Sequence, residues 1–147
     1  VIENAYHEPA MIICRQSHPR IQGTLSREDF YRENHCMFSG KWNNTSGFEQ
    51  LAKEPIQERN VEIVTSSLAG MAMYVAQRDC LGVVSRSFAM KWSKALKLQV
   101  LECPIEIDHI PYKFVYHKRD EHNPAHQRLR EQVKQQLEFA HAAPIDL

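Results

Sequence analysis

VEIVTSSLAGMAMYVAQRDCLGVVSRS, residues 61–87, holds a strand, a helix and a second strand in succession. Val61-Glu62-Ile63-Val64 is β-branched and weakly alternating, which predicts a strand. Thr65-Ser66-Ser67 then offers hydroxyls to a helix start, and Leu68, Met71, Ala72, Val75 and Ala76 recur at helical spacing. Gln77-Arg78-Asp79 ends that pattern, Cys80-Leu81-Gly82-Val83-Val84 reads as a buried strand, and Ser85-Arg86-Ser87 is its polar exit. Short buried strands alternating with helices point to an α/β fold with a mainly parallel sheet covered on both faces.

The same rhythm extends in both directions. Upstream, Ala10-Met11-Ile12-Ile13-Cys14 is a continuous apolar run that predicts a buried strand, and Arg15 to Pro19 is the turn after it. Residues 24–31 read as a short hydroxyl-capped helix, and His35-Cys36-Met37-Phe38 as another short apolar run. Ser39 to Gly47 is a turn-rich polar loop containing Trp42, and a helical pattern resumes from Phe48 to Ile56. Downstream, Phe88 to Leu96 predicts a helix, Lys97 to Leu101 and Tyr112 to Tyr116 predict strands, and Pro124 opens a charged helix to about His141.

In such folds ligands sit beyond the carboxyl ends of the strands, where helix amino termini direct unpaired N–H groups at the crevice. The polar exits at Ser39 to Gly47, Thr65 to Ser67 and Ser85 to Ser87 are therefore the candidate ligand edge. Within them Ser39, Gly40, Asn43, Thr45, Thr65, Ser66, Ser67 and Ser85 are the candidate ligand-binding residues. Hydroxyl and amide donors suit a carboxylate or another oxygen-rich small molecule, while Phe38 and Trp42 beside the loop suit a more hydrophobic one. The competing reading is that Ser66 only caps its own helix.

Composition limits the alternatives. The chain has 147 residues, 43% of them hydrophobic and 24% charged, which is the make-up of an ordinary folded chain and not of a disordered one. Eighteen Lys and Arg balance eighteen Asp and Glu, so no basic excess exists to neutralise DNA phosphates, and this segment is not expected to grip DNA itself. No apolar run approaches the roughly 20 residues needed to span a bilayer. The amino terminus lacks a signal-peptide pattern, so a soluble, cytoplasmic protein is expected. Cys14, Cys36, Cys80 and Cys103 lie far apart in or beside apolar stretches and read as reduced core thiols. Because the chain begins at Val1, it reads as a piece of something longer.

Chemical signatures do not survive inspection. His122 and His126 have the spacing of two zinc ligands on a helix face, but no Glu follows His122 and no third ligand is evident, so His126 reads as a solvated position and no metal is expected. His35 beside Cys36 would point to the opposite face of a strand, so it is no base for that thiol. Ser66 and Ser67 lack the glycines of a nucleophile elbow, and Gly40 and Gly47 do not make a phosphate cradle. Arg128, Arg130 and Lys134 alternate with Glu131 and Glu138 as on a solvated face. No enzyme and no cofactor is expected.

The run EPAMIICRQSHPRI followed by TLSREDFYRENHCMF resembles the entry into the second lobe of LysR-type transcriptional regulators, with its strand, His-Pro turn, short helix and strand. VEIVTSSLAGMAMYVAQRDCLGVVSRSFA resembles the family's strand, hydroxyl-capped helix and Gly-apolar strand, and PYKFVYHKRDEHNPAHQRLREQVKQQL its returning strand and closing helix. HPRIQG, LKLQVL and NPAHQRLREQ are most similar to the LeuO and nodulation-regulator branch.

The resemblance implies a regulatory half like the type 2 periplasmic-binding-protein fold. Its second lobe would span about 10–112, with a returning strand and helix of the first lobe at about 112–141. It implies a small-molecule effector in an interlobe cleft, DNA bound only through a helix-turn-helix outside these residues, and a homodimer or homotetramer. An extracytoplasmic solute-binding protein of similar fold is the alternative.

Overall fold

The computed structural model describes residues 1–40 and 47–142. The chain divides into two units, Pro9–His109 and the pair Val1–Glu8 with Ile110–Leu147.

The larger unit is built around the apolar run at residues 10–14, which forms β2 (Ala10–Arg15). With no polar residue in that run, both of its faces need cover, and successive side chains alternate between two cores. Met11 and Ile13 pack in one core, with Cys36, Met71, Val75, Cys80 and Ala89. Ile12 and Cys14 pack in the other, with Ile21, Phe30, Phe48, Leu81 and Ile105. The first core is roofed by α3 (Leu68–Val75) and α4 (Arg86–Leu96), the second by α1 (Arg27–Arg32) and α2 (Gly47–Leu51).

The sheet has five strands in the order β4-β3-β5-β2-β6. β3 (Asn34–Phe38) lies parallel to both β4 (Asn60–Thr65) and β5 (Cys80–Ser85). β2 runs antiparallel to β5 and to β6 (Leu98–Glu102). Four strands thus share one direction and β2 opposes them, so the sheet, expected to be mainly parallel, is mixed, with two parallel and two antiparallel pairings. Between β3 and β4 the register slips after His35, which pairs with Val61, while Cys36 pairs with Ile63 and Met37 with Val64. Glu62 is the extra residue of this bulge, and the slip brings Val61 and Val64 onto one face.

Local signals set the helix ends. Ser26 caps α1, accepting from the Asp29 N–H at 3.0 Å. α4 ends at Lys97, a non-glycine residue in the left-handed region at φ 51°. α2 stops at Leu51, well short of Ile56, because the chain turns into extended contact with residues 106–108: Lys53 N–H donates to Glu106 O at 3.0 Å and Asp108 N–H to Leu51 O at 2.8 Å.

The smaller unit is an antiparallel ribbon of β1 (Ile2–Glu8) and β7 (Ile110–Val115) with α5 (Pro124–Ala142) packed on it. Asn123 caps α5 through the Ala125 N–H at 3.0 Å, which explains why Pro124 can open it. Arg130 and Lys134 are not simply solvated, as their alternation with acids implied. Arg130 lies 3.3 Å from the Glu3 carboxylate and 4.1 Å over the Tyr116 ring, and Lys134 pairs with the same Glu3.

Candidate functional site

Because β4, β3 and β5 are adjacent and parallel, their carboxyl ends emerge at one edge of the larger unit. The Ser39 N–H donates to Thr65 O at 2.9 Å, tying the first two exits together. Ser39 and Ser85 are buried, while Gly40, Ser66 and Ser67 are exposed. Asn43 and Thr45, and Trp42 between β3 and α2, lie outside the described residues. Six of the eight candidate positions are therefore placed, and all six occupy this edge.

Their hydroxyls are not equivalent. The helix cap is Ser67, not Ser66: the Gly70 N–H donates to Ser67 Oγ at 3.0 Å. Thr65 Oγ1 accepts from the Ser67 N–H at 3.1 Å, so it shapes the turn into α3. The start of α3 is close-packed, since a Cβ at Gly70 would lie 3.3 Å from both Cβ and Oγ of Ser67 and the cap would have to give by a few tenths of an ångström. Ser66 carries the one hydroxyl of the trio with no partner among the described residues, and it is solvent-facing. At the neighbouring exit Ser85 occupies the cap position of α4 without a side-chain cap bond, and its Oγ lies 3.4 Å from that of Ser87. The Arg86 N–H donates to Pro9 O at 3.0 Å.

The electrostatics of the edge follow from these two helices. Neither α3 nor α4 has an acidic residue in its first turn, whereas α1 has Glu28 and Asp29. Two helix amino termini thus present their partial positive charge at the strand exits without an acid of their own to cancel it. Ser66 and the hydroxyls at Ser85 and Ser87 can serve an oxygen-rich ligand there as donors.

Elsewhere, titratable groups do structural work. His35 Nε2–H donates to Phe30 O at 2.7 Å, its ring meets Phe30 edge-on at 4.7 Å, and burial pushes its pKa down to about 4. Cys36, its neighbour, belongs to the opposite core, so the two do not form a nucleophile and base. Burial pushes the thiols of Cys14 and Cys80 up to about 12 and that of Cys36 to about 11, and all four cysteines are free. The His-Pro turn is anchored by Glu33, which is buried and bonded twice to Arg20, at 2.7 and 2.5 Å.

The sequence reading missed Arg59, whose side chain is only 4% exposed, paired with Glu49 and lying 4.9 Å from the Phe48 ring centre. Nothing local marks it, since its partners come from α2. His122 and His126 are exposed, and among the described residues no group of three or more His, Cys, Asp or Glu is placed to hold a metal ion. No helix among them is long and apolar enough to cross a membrane.

Comparison with known proteins agrees with this architecture. Residues 1–138 match the family described as the LysR substrate binding domain. The chain is 23% identical over 130 residues to the HTH-type transcriptional regulator LeuO of Escherichia coli (strain K12), covering 87% of this chain and 40% of LeuO. The regulatory domain of MexT, a transcriptional activator in Pseudomonas aeruginosa, superposes with a TM-score of 0.73 at 18% identity, over 92% of this chain and 66% of that one. The effector binding domain of QuiR in complex with shikimate gives 0.64 at 15% identity, over 91% and 63%. The chain spans about two fifths of the length of LeuO. With its α/β architecture, its hydroxyl-lined strand exits and a family match running almost end to end, the chain belongs to the LysR substrate binding domain family.

Proposed function

We propose that this chain is the effector-sensing part of a LysR-type transcriptional regulator, binding a small oxygen-rich molecule, with a carboxylate as the preferred class. The observation that carries the reading is the edge where two helix amino termini without first-turn acids meet the exits at Ser39, Thr65 to Ser67 and Ser85. In this reading Ser66 donates to the ligand, while Thr65 and Ser67 hold the turn that aims it. Asn43 and Thr45 belong to the same proposed lining. The QuiR domain was solved with shikimate, a hydroxylated carboxylate, which is the chemistry this edge suits. Binding controls transcription by favouring one of two states of the protein, which requires different affinities for the two. DNA is contacted through a helix-turn-helix outside these residues, by a homodimer or homotetramer in the cytoplasm. The relatives compared are transcriptional regulators, which favours this over the solute-binding alternative and over catalysis.

The test separates Ser66 from Ser67. A thermal-shift screen with small carboxylates, shikimate included, identifies a stabilising ligand. Ser66→Ala then weakens its binding roughly fivefold or more, the size of one lost hydrogen bond, at unchanged stability. Ser67→Ala instead costs about 1 kcal/mol of stability, and Ser67→Gly only tenths. No stabilisation by any carboxylate, or equal affinity in Ser66→Ala, refutes the assignment.

A further inference from the structure

β4 is an edge strand, and α2, at five residues, is too short to roof it. The bulge after His35 turns Val61 and Val64 to the same face as Met37, and these two valines are left 37% and 44% exposed. With Ile56 they form the apolar floor and wall of a cavity of about 360 Å³. None of its lining residues belongs to the strand-exit edge proposed above.

Charge decides what fits this space. Arg59 lines it but is already committed: its Nη2 reaches Glu49 and contacts the Met37 sulfur at 3.7 Å. That pair is neutral overall. Glu58, at the rim, has no hydrogen bond or ion pair among the described residues and leaves the cavity with one uncompensated negative charge. A second hollow among the described residues, between Arg15, Asn34, Glu62 and Asp79, differs in this respect. Its charges are consumed internally, Arg15 by Asp79 at 2.5 Å and Arg78 by Glu62 at 2.8 Å.

We infer that the cavity under β4 is a second small-molecule site, taking a monocationic amine with an apolar body: the body lies on Met37, Ile56, Val61 and Val64, and the ammonium pairs with Glu58. A carboxylate of the same shape is excluded there, because Arg59 has its acid and Glu58 repels a second one. The volume suits a molecule of about ten heavy atoms, within the usual range for small-ligand pockets.

The probes are 2-phenylethylamine and the similarly sized 3-phenylpropionate, each titrated into the 147-residue chain with methyl groups observed by NMR. The amine produces saturable shifts at Met37, Val61 and Val64, with half-saturation at roughly millimolar concentration, as befits a fragment. The carboxylate does not shift these methyls. Glu58→Gln weakens the amine roughly three- to fivefold, the worth of one partly screened ion pair. Val64→Lys, a change at an already exposed position, places an ammonium in the cavity and abolishes the shifts while the fold, checked by circular dichroism, is kept. Equal binding of amine and carboxylate overturns the inference, as does an unaltered titration in Glu58→Gln or the lack of saturable shifts. Because the test reads neither Ser66 nor the strand exits, its failure leaves the effector reading standing, and the reverse holds too.

Discussion

Gly82 sits in the middle of β5 where α3 lies close over the sheet, and replacing it by alanine measures that closeness. A Cβ at this position would stand 3.3 Å from Ile13 Cγ1, 3.3 Å from Val75 Cγ2 and 3.5 Å from Met71 Cγ. The first two contacts fall roughly 0.4 Å inside the optimum for carbon pairs. All three neighbours are fully buried, and Val75, β-branched and in a helix, has essentially one rotamer, so its Cγ2 has little room to give. Overpacking by one methyl then costs about 1–2 kcal/mol. The lower entropy of an unfolded alanine returns about 0.5–1 kcal/mol of this. The expected net is a loss of about 1 kcal/mol for Gly82→Ala, or about 2–4 °C in Tm for a chain of this size. Gly82→Val adds two more carbons to the same space and loses about 3 kcal/mol. Urea unfolding followed by circular dichroism reads both values. A built-in control is Val75→Ala, which removes the Cγ2 contact: in that background Gly82→Ala is neutral or stabilising, a coupling of about 1 kcal/mol. If Gly82→Ala melts at or above the parent, or costs the same with Val75→Ala, the close approach of α3 to β5 is not what glycine serves.

Stability depends on pH through His35, whose folded pKa is held down at about 4 by burial while an unfolded histidine titrates near 6.5. The neutral ring therefore contributes fully above pH 6.5, and of order 3 kcal/mol is lost as pH falls from 6.5 to about 4. The urea midpoint drops between pH 7 and pH 5 and drops less in His35→Gln; a flat parent profile contradicts this. For the thiols, pushed up to about 12 at Cys14 and Cys80 and about 11 at Cys36, an aromatic disulfide reagent at pH 8 should label the native chain slowly and all four cysteines only in denaturant. Rapid labelling of any of these three in the native chain would show that its core opens.

The larger unit was legible where its signal is local. AMIIC and CLGVV announce strands needing cover on both faces, and both have it. Leu68, Met71, Ala72 and Val75 mark α3, and of these four Leu68 alone is not buried. What sequence could not supply was pairing. IENAYHE has no bounded apolar run, and it becomes β1 only because β7, more than a hundred residues away, lies beside it. The direction of β2 against its neighbours is likewise invisible in a run whose faces are equally apolar. At the candidate edge, residue types were legible and roles were not: Ser66 and Ser67 differ only in which hydroxyl reaches the Gly70 N–H, a matter of one backbone step at the helix start. Weak alternation in VEIV was the trace of the bulge, and with it of the cavity at Arg59.

The β1–β7 ribbon also orders events during synthesis. Ile2 pairs with Val115, so β1 cannot meet β7 until more than a hundred further residues have been synthesised after it. Joining such distant segments in an unfolded chain carries a loop-closure cost that only non-local contacts repay, and it slows folding. The larger unit, contiguous from Pro9 to His109, can complete its sheet first and so remove most of that loop. Until then the edge of β1 that takes β7 is open, and an open strand edge is the kind of surface that chaperones shield and that pairs with the wrong chain when they do not.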